Sequence, residues 1–178
     1  MLKLNIKQLT MAGMMAALVL VGTMLIQVPT PTKGYIHIGD SMVYLCGILL
    51  GPVVGSLAAA LGSFLADMIA GYGVYAPATF VIKGLDALIV GYIYHKLINE
   101  DALLGKKIAV FSIAVLFGGF IMVGGYLAYE TMLYGFATAV LGVVGNITQA
   151  VGGGILAVPL MLGLEKANVF NKFKENFR

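Results

Sequence analysis

Residues 35–94 are apolar enough for a bilayer, yet His37, Asp40, Asp67, Lys83 and Asp86 stand at the ends of, or inside, the oily runs. An ionisable side chain is costly in hydrocarbon, so such groups face a bundle interior, pair with one another or line the path of a polar ligand. This feature restricts the fold to a helical membrane bundle with a polar site built into it. Composition agrees, with 60% of residues hydrophobic and 11% charged, against about 25% charged in a soluble domain. Residues 1–178 are expected to form one all-α domain of six transmembrane helices.

A spanning helix needs about 20 apolar residues. The runs are 9–28, 38–50, 53–70, 78–94, 108–129 and 139–164. The first is long enough to span and has no small-residue cleavage site after it, so it is expected to be retained rather than removed as a signal. It ends at Pro29-Thr30-Pro31-Thr32-Lys33-Gly34, where two prolines forbid helix continuation. The second breaks at Gly51-Pro52 and is short for a full span, so it either begins in the preceding loop or crosses a thinned region. Residues 95–107 form a polar connection, 130–138 a mixed turn region and 165–178 a charged tail.

Lysine and arginine favour cytoplasmic loops. With six spans and the N-terminus inside, Lys3, Lys7, Lys96, Lys106, Lys107, Lys166, Lys172, Lys174 and Arg178 fall inside, nine of the eleven basic residues, and only Lys33 and Lys83 lie towards the outside. Both termini are therefore expected in the cytoplasm, with the polar features other than Asp86 gathered at the outer half. The net charge of +3 reads as membrane orientation rather than nucleic-acid affinity.

Each candidate residue has two readings. Asp67, one turn before Gly71, accepts hydrogen bonds from a ligand, or else caps the loop or pairs with Lys83. Lys83 and Asp86 share a helix face at i, i+3, so they form a structural pair, contact a ligand, or both. Asp40, followed by Ser41, suits the N-cap of the second helix, and near a site it would also order the Pro-rich loop. His37 precedes it by three residues, but His95 falls on the opposite side, so no metal site is expected. Tyr35, Tyr72, Tyr75, Tyr126, Tyr129 and Tyr134 suit an interfacial belt, with Tyr75 the choice for stacking on a flat ligand. Asn146 and Gln149 are either interhelical glue or partners for a heterocycle edge. Glu130 is either solvated or part of the site.

Other chemistries are excluded by missing motifs. The chain holds no G-x-x-x-x-G-K-[ST] phosphate loop, no G-x-S-x-G elbow and no H-E-x-x-H pair. His37-Ile38-Gly39-Asp40 lacks the first glycine of the Gly-x-Gly-Asp of intramembrane aspartyl proteases. Cys46 is the single cysteine, which excludes an internal disulfide and reads as a small buried hydrophobe. No cofactor is expected.

The ordered combination Ala12-x-x-x-Ala16, His37-Ile38-Gly39-Asp40, Gly51-Pro52, Gly55, Asp67, Gly71-Tyr72, Ala76-Pro77 and Lys83-Gly84 resembles the substrate-binding S component of an energy-coupling factor (ECF) vitamin transporter, over nearly the whole chain. The resemblance implies capture of a vitamin at the outer face. It also implies docking through Ala12 and Ala16 onto a transmembrane coupling subunit driven by two cytoplasmic ATPases. It points to a small aromatic vitamin of the pyridoxine, hydroxymethylpyrimidine or riboflavin class, and the absence of tryptophan weighs against the thiamine and biotin branches. On that basis His37, Asp40, Asp67, Tyr75, Lys83, Glu130, Asn146 and Gln149 are the expected binding residues. A stand-alone secondary carrier and a ligand-free assembly subunit are the competing readings.

Overall fold

The structure is a computed structural model that describes residues 5–30, 32–99, 102–170 and 173. Lys3, Pro31, Lys172, Lys174 and Arg178, used in the topology and loop readings above, lie outside the described residues. Among the described residues the main elements follow in the order α1 (Ile6–Leu25), β1 (Gln27–Pro29), β2 (Tyr35–His37), α2 (Asp40–Leu50), α3 (Pro52–Ala70), α4 (Ala76–Leu97), α5 (Leu104–Tyr134) and α6 (Phe136–Lys166), β1 and β2 forming a short hairpin. Five of these helices are long and apolar enough to cross a membrane, and α2 is the short one.

Local chemistry sets the ends. Asn5 caps α1 through a reciprocal capping box with Gln8. Pro52 opens α3 and Pro77 opens α4, where a missing N–H costs nothing. Gly71 ends α3 at φ 86° and Gly135 separates α5 from α6 at φ 81°, left-handed values that a side chain resists.

The first span stops earlier than expected. Residues 27–29 leave the helix and pair antiparallel with residues 35–37, in the register Gln27↔His37, Val28↔Ile36 and Pro29↔Tyr35. The reason is local: Thr30 N donates to Gly34 O and Lys33 N to Thr30 O, closing a turn that brings two extended segments together. The 130–138 region is also different from the expected turn, being helix apart from Gly135. The 95–107 connection shrinks because α4 continues through His95 and Lys96 and α5 already contains Lys106 and Lys107.

The helix α2 rises only about 16 Å, half of a hydrocarbon core. It lies inside the bundle, with ten of its eleven residues buried. The helices α1, α3, α4 and α6 pack against it. Lipid supplies no hydrophobic drive for helices to associate, so close backbone packing through small residues takes over. A Cβ at Gly47 would overlap the Ala87 carbonyl oxygen of α4, one at Gly55 the Cys46 carbonyl oxygen, and one at Gly62 the Ala16 carbonyl oxygen of α1. The opposite faces are greasy and exposed, as Leu57, Leu61, Leu65 and Met68 are along α3. An apolar outside around a bundle with a polar interior is the arrangement of a multi-pass membrane protein.

Candidate binding site

The hairpin folds over the end of the bundle where α1, α3 and α5 finish and α2, α4 and α6 begin. Beneath it is a cavity of about 30 Å³ lined by Thr30, Thr32, Gly34, Tyr35, His37, Asp67, Tyr75, Thr79, Tyr126, Glu130, Gly142, Asn146 and Gln149. That space suits water, so admission of a ring requires the hairpin or side chains to move. Six of the eight expected binding residues line it: His37, Asp67, Tyr75, Glu130, Asn146 and Gln149.

The other two, Asp40 and Lys83, lie below its floor and hold it. Lys83 Nζ is 2.5 Å from Asp40 Oδ1, and neither side chain is exposed to solvent. This corrects two expectations. Lys83 pairs across helices with Asp40, while the next ionisable group on its own face, Asp86, has neither carboxylate oxygen hydrogen-bonded. Asp40 does not cap α2, because Gly39 occupies the N-cap and the Asp40 side chain turns into the bundle.

Gln149 joins this floor to the hairpin. Its Nε2 donates to Asp40 Oδ2 at 3.1 Å, and its Oε1 accepts from the His37 backbone N–H at 3.0 Å. Gly153 lets α6 approach, since a Cβ there would meet Asp40 Cβ at 2.7 Å. His37 Nδ1 accepts from Gly39 N–H at 3.1 Å. Burial lowers the His37 ring to about 4, the Asp40 carboxylate opposing and the Lys83 ammonium adding to the effect. A neutral ring with Nδ1 as acceptor carries its proton on Nε2. Among the described residues no cluster of His, Cys, Asp and Glu suits a metal ion.

The walls are built from tyrosines and carboxylates. Tyr35 OH donates to Asp67 Oδ1 at 2.6 Å, so Asp67 pairs with the hairpin and not with Lys83. Tyr75 OH donates to Thr32 O at 2.6 Å and reaches Glu130 Oε1 at 3.2 Å. Its ring lies 5.8 Å from that of Tyr129 and 6.5 Å from that of Tyr126. Glu130 is 3% exposed, which excludes the solvated reading.

Sequence reasoning missed Thr30, Thr32, Tyr35, Thr79 and Tyr126. Tyr35 and Tyr126 fit an interfacial belt equally well by sequence, and a lone threonine in a loop or helix carries no such signal. The legible signal was the Thr-Pro-Thr segment, polar on both sides of a proline and long enough to fold back over the bundle.

A larger groove of about 580 Å³ runs along the α5–α6 seam, lined by Phe111, Val115, Leu116, Phe120, Ile155 and neighbours, with Ser112 its one polar side chain. It faces outward among exposed apolar residues and has nothing to orient a polar ligand.

A multi-pass helical bundle with a small pocket of polar and aromatic groups under a hairpin at one end defines a membrane-embedded protein built to hold a small molecule. Residues 3–166 match the family described as ECF-type riboflavin transporter, S component, and the chain belongs to that family. It is 39% identical over 149 residues to an uncharacterised protein of Pyrococcus woesei, covering 83% of this chain and 95% of the relative. It is 27% identical over 173 residues to the thiamine precursor transporter HmpT of Lactococcus lactis, covering 96% and 95%. It is 30% identical over 166 residues to a UPF0397 protein of Streptococcus pneumoniae, covering 87% and 90%.

Proposed function

We propose that this protein captures a small aromatic vitamin, of the pyridoxine, hydroxymethylpyrimidine or riboflavin class, at the outer face of the cell membrane. It hands the ligand on through a separate transmembrane coupling subunit powered by two cytoplasmic ATPases. The observation that carries this reading is the buried pocket at one end of the bundle, where aromatic rings and polar groups of α3–α6 converge under a hairpin. Family membership supports the division of labour, and the name of the Lactococcus relative supports a vitamin-sized ligand.

The pocket end faces outward in this reading, with both termini in the cytoplasm. Lys7, Lys96, Lys106, Lys107 and Lys166 then all lie at the inner end, in keeping with the positive-inside rule. His37, Asp67, Tyr75, Glu130, Asn146 and Gln149 surround the ligand, and Asp40 and Lys83 hold the floor. The surface of α1 around Ala12 and Ala16 receives the coupling subunit.

Isothermal titration of the purified chain against a vitamin panel tests the capture reading. Saturable binding of one vitamin at nanomolar strength is expected, with no ATP hydrolysis by the chain alone. Failure of every vitamin to bind refutes it.

A further inference from the structure

The cavity walls are one-sided in charge. Asp67 and Glu130 line it at 4% and 3% exposure, and no lysine or arginine does so among the described residues. Lys83 is committed to Asp40 beneath the floor. Lys33 sits between the lining residues Thr32 and Gly34, but its own side chain is exposed on the hairpin turn.

Each carboxylate keeps at least one oxygen without a partner. Tyr35 occupies Asp67 Oδ1. Tyr75 has a single hydroxyl proton, and at 2.6 Å Thr32 O is nearer to it than Glu130 Oε1 at 3.2 Å. Asp67 Oδ2 and Glu130 Oε2 are buried with no hydrogen-bond partner. The closest hydroxyls do little for them: Thr79 Oγ1 is shared with Tyr126 OH, and Thr32 Oγ1 with Thr30 Oγ1. Buried acceptors left without donors are costly, and native structures keep few of them. Two such atoms on the walls of one cavity call for a ligand that brings donors.

Size narrows the choice. From a cavity of about 30 Å³, a one-ring ligand needs far less displacement of the walls than a three-ring flavin.

We propose that the pocket selects a single-ring heterocycle rich in hydrogen-bond donors, of the aminopyrimidine type, and rejects anions, with Asp67 and Glu130 as the residues that set this preference. The ring amine and a hydroxymethyl or protonated ring nitrogen donate to Asp67 Oδ2 and Glu130 Oε2. A phosphate or carboxylate on the same ring meets two acidic groups with no cation to receive it. This preference rests on the capture reading above and narrows it.

The test is titration of the purified full-length chain with 4-amino-5-hydroxymethyl-2-methylpyrimidine, its phosphate ester, pyridoxine and riboflavin. The aminopyrimidine is expected to bind tightest, its phosphate ester about 100-fold or more weaker, and Asp67→Asn and Glu130→Gln each to lose about 10-fold for the aminopyrimidine. The comparison between ligands uses the unmodified chain, so it stands even if a variant fails to fold. Tighter binding of riboflavin than of the aminopyrimidine, or equal binding of the phosphate ester, overturns the preference and leaves vitamin capture intact. Binding of none of the four overturns both.

Discussion

Lys83 of α4 and Asp40 of α2 form an ion pair at 2.5 Å that no solvent reaches, and Gln149 of α6 completes it from the other side. Three helices are thereby tied at one point under the pocket. Removing one partner of a buried pair leaves an uncompensated charge, at about 3–5 kcal/mol, whereas replacing both with apolar groups is often neutral. Lys83→Met alone is therefore expected to lower stability in detergent by about that amount. Lys83→Met combined with Asp40→Leu is expected to recover most of it. Thermal melts of the two single variants and the double variant check this. A double variant as damaged as the sum of the singles would show that the pair does not act as a unit.

Glycines carry the helix packing, but only where another backbone lies against them. A Cβ at Gly47 would overlap the Ala87 carbonyl oxygen, and one at Gly91 would come within 2.6 Å of the Gly47 carbonyl oxygen. Gly124 in α5 has nothing beyond its own helical turn within 4 Å of that position. Gly47→Ala is expected to cost about 1–3 kcal/mol by forcing α2 and α4 apart. Gly124→Ala is expected to be neutral or to add up to about 1 kcal/mol through helix propensity. The difference in melting temperature between the two variants is the measurement. Equal effects would contradict the packing argument.

The helices were legible because the apolar runs and their Gly and Pro breaks are the same physical signals that place the helix ends. Run 53–70 differs from α3 by one residue at its start, since Pro52 is at home in a first turn. The hairpin was not legible: Gln27-Val28 reads as the end of an apolar run and Pro29 as its stop, and nothing local says that they pair with Tyr35-Ile36-His37. The pocket residues stand out in the sequence because ionisable and amide groups are rare in apolar runs. Their partners do not, because Lys83 can reach Asp86 by helix periodicity and reaches Asp40 only through the tertiary fold.

His37 gives the protein a dependence on pH. Its ring is held at about 4, chiefly by burial, against an ordinary value near 6.5 in the unfolded chain. Asp40 from α2, Lys83 from α4 and Gln149 from α6 are the polar groups around it. The unfolded chain binds the proton first, so this contribution is fully present above about pH 6.5 and is lost as pH falls towards 4, by roughly 3 kcal/mol in all. Denaturation followed between pH 7.5 and 4 should show that slope. His37→Gln should flatten it, and an unchanged slope in that variant would assign the dependence to other groups.

The last prediction concerns the face of α1. Ala16 is partly enclosed, its carbonyl lying where Gly62 of α3 packs, while Ala12 is partly buried at the edge of the same contact. One residue round the helix the surface is open: nothing lies within 4 Å of a Cβ at Gly13, and Met14, Leu18 and Val21 are 51%, 43% and 50% exposed. Gly13 and Ala17 thus continue the smooth strip from Ala12 towards the outside, and small residues at such spacing let another helix come close. If the coupling subunit docks here, Ala12→Leu and Gly13→Leu should abolish vitamin uptake in cells that carry the coupling module. Neither should change vitamin affinity, because the pocket lies at the far end of α1. Gly152→Leu, equally free of neighbours but on α6, should leave uptake unchanged. Uptake assays paired with titration on the same variants separate the two effects. Normal uptake by both α1 variants would move the docking surface to another helix.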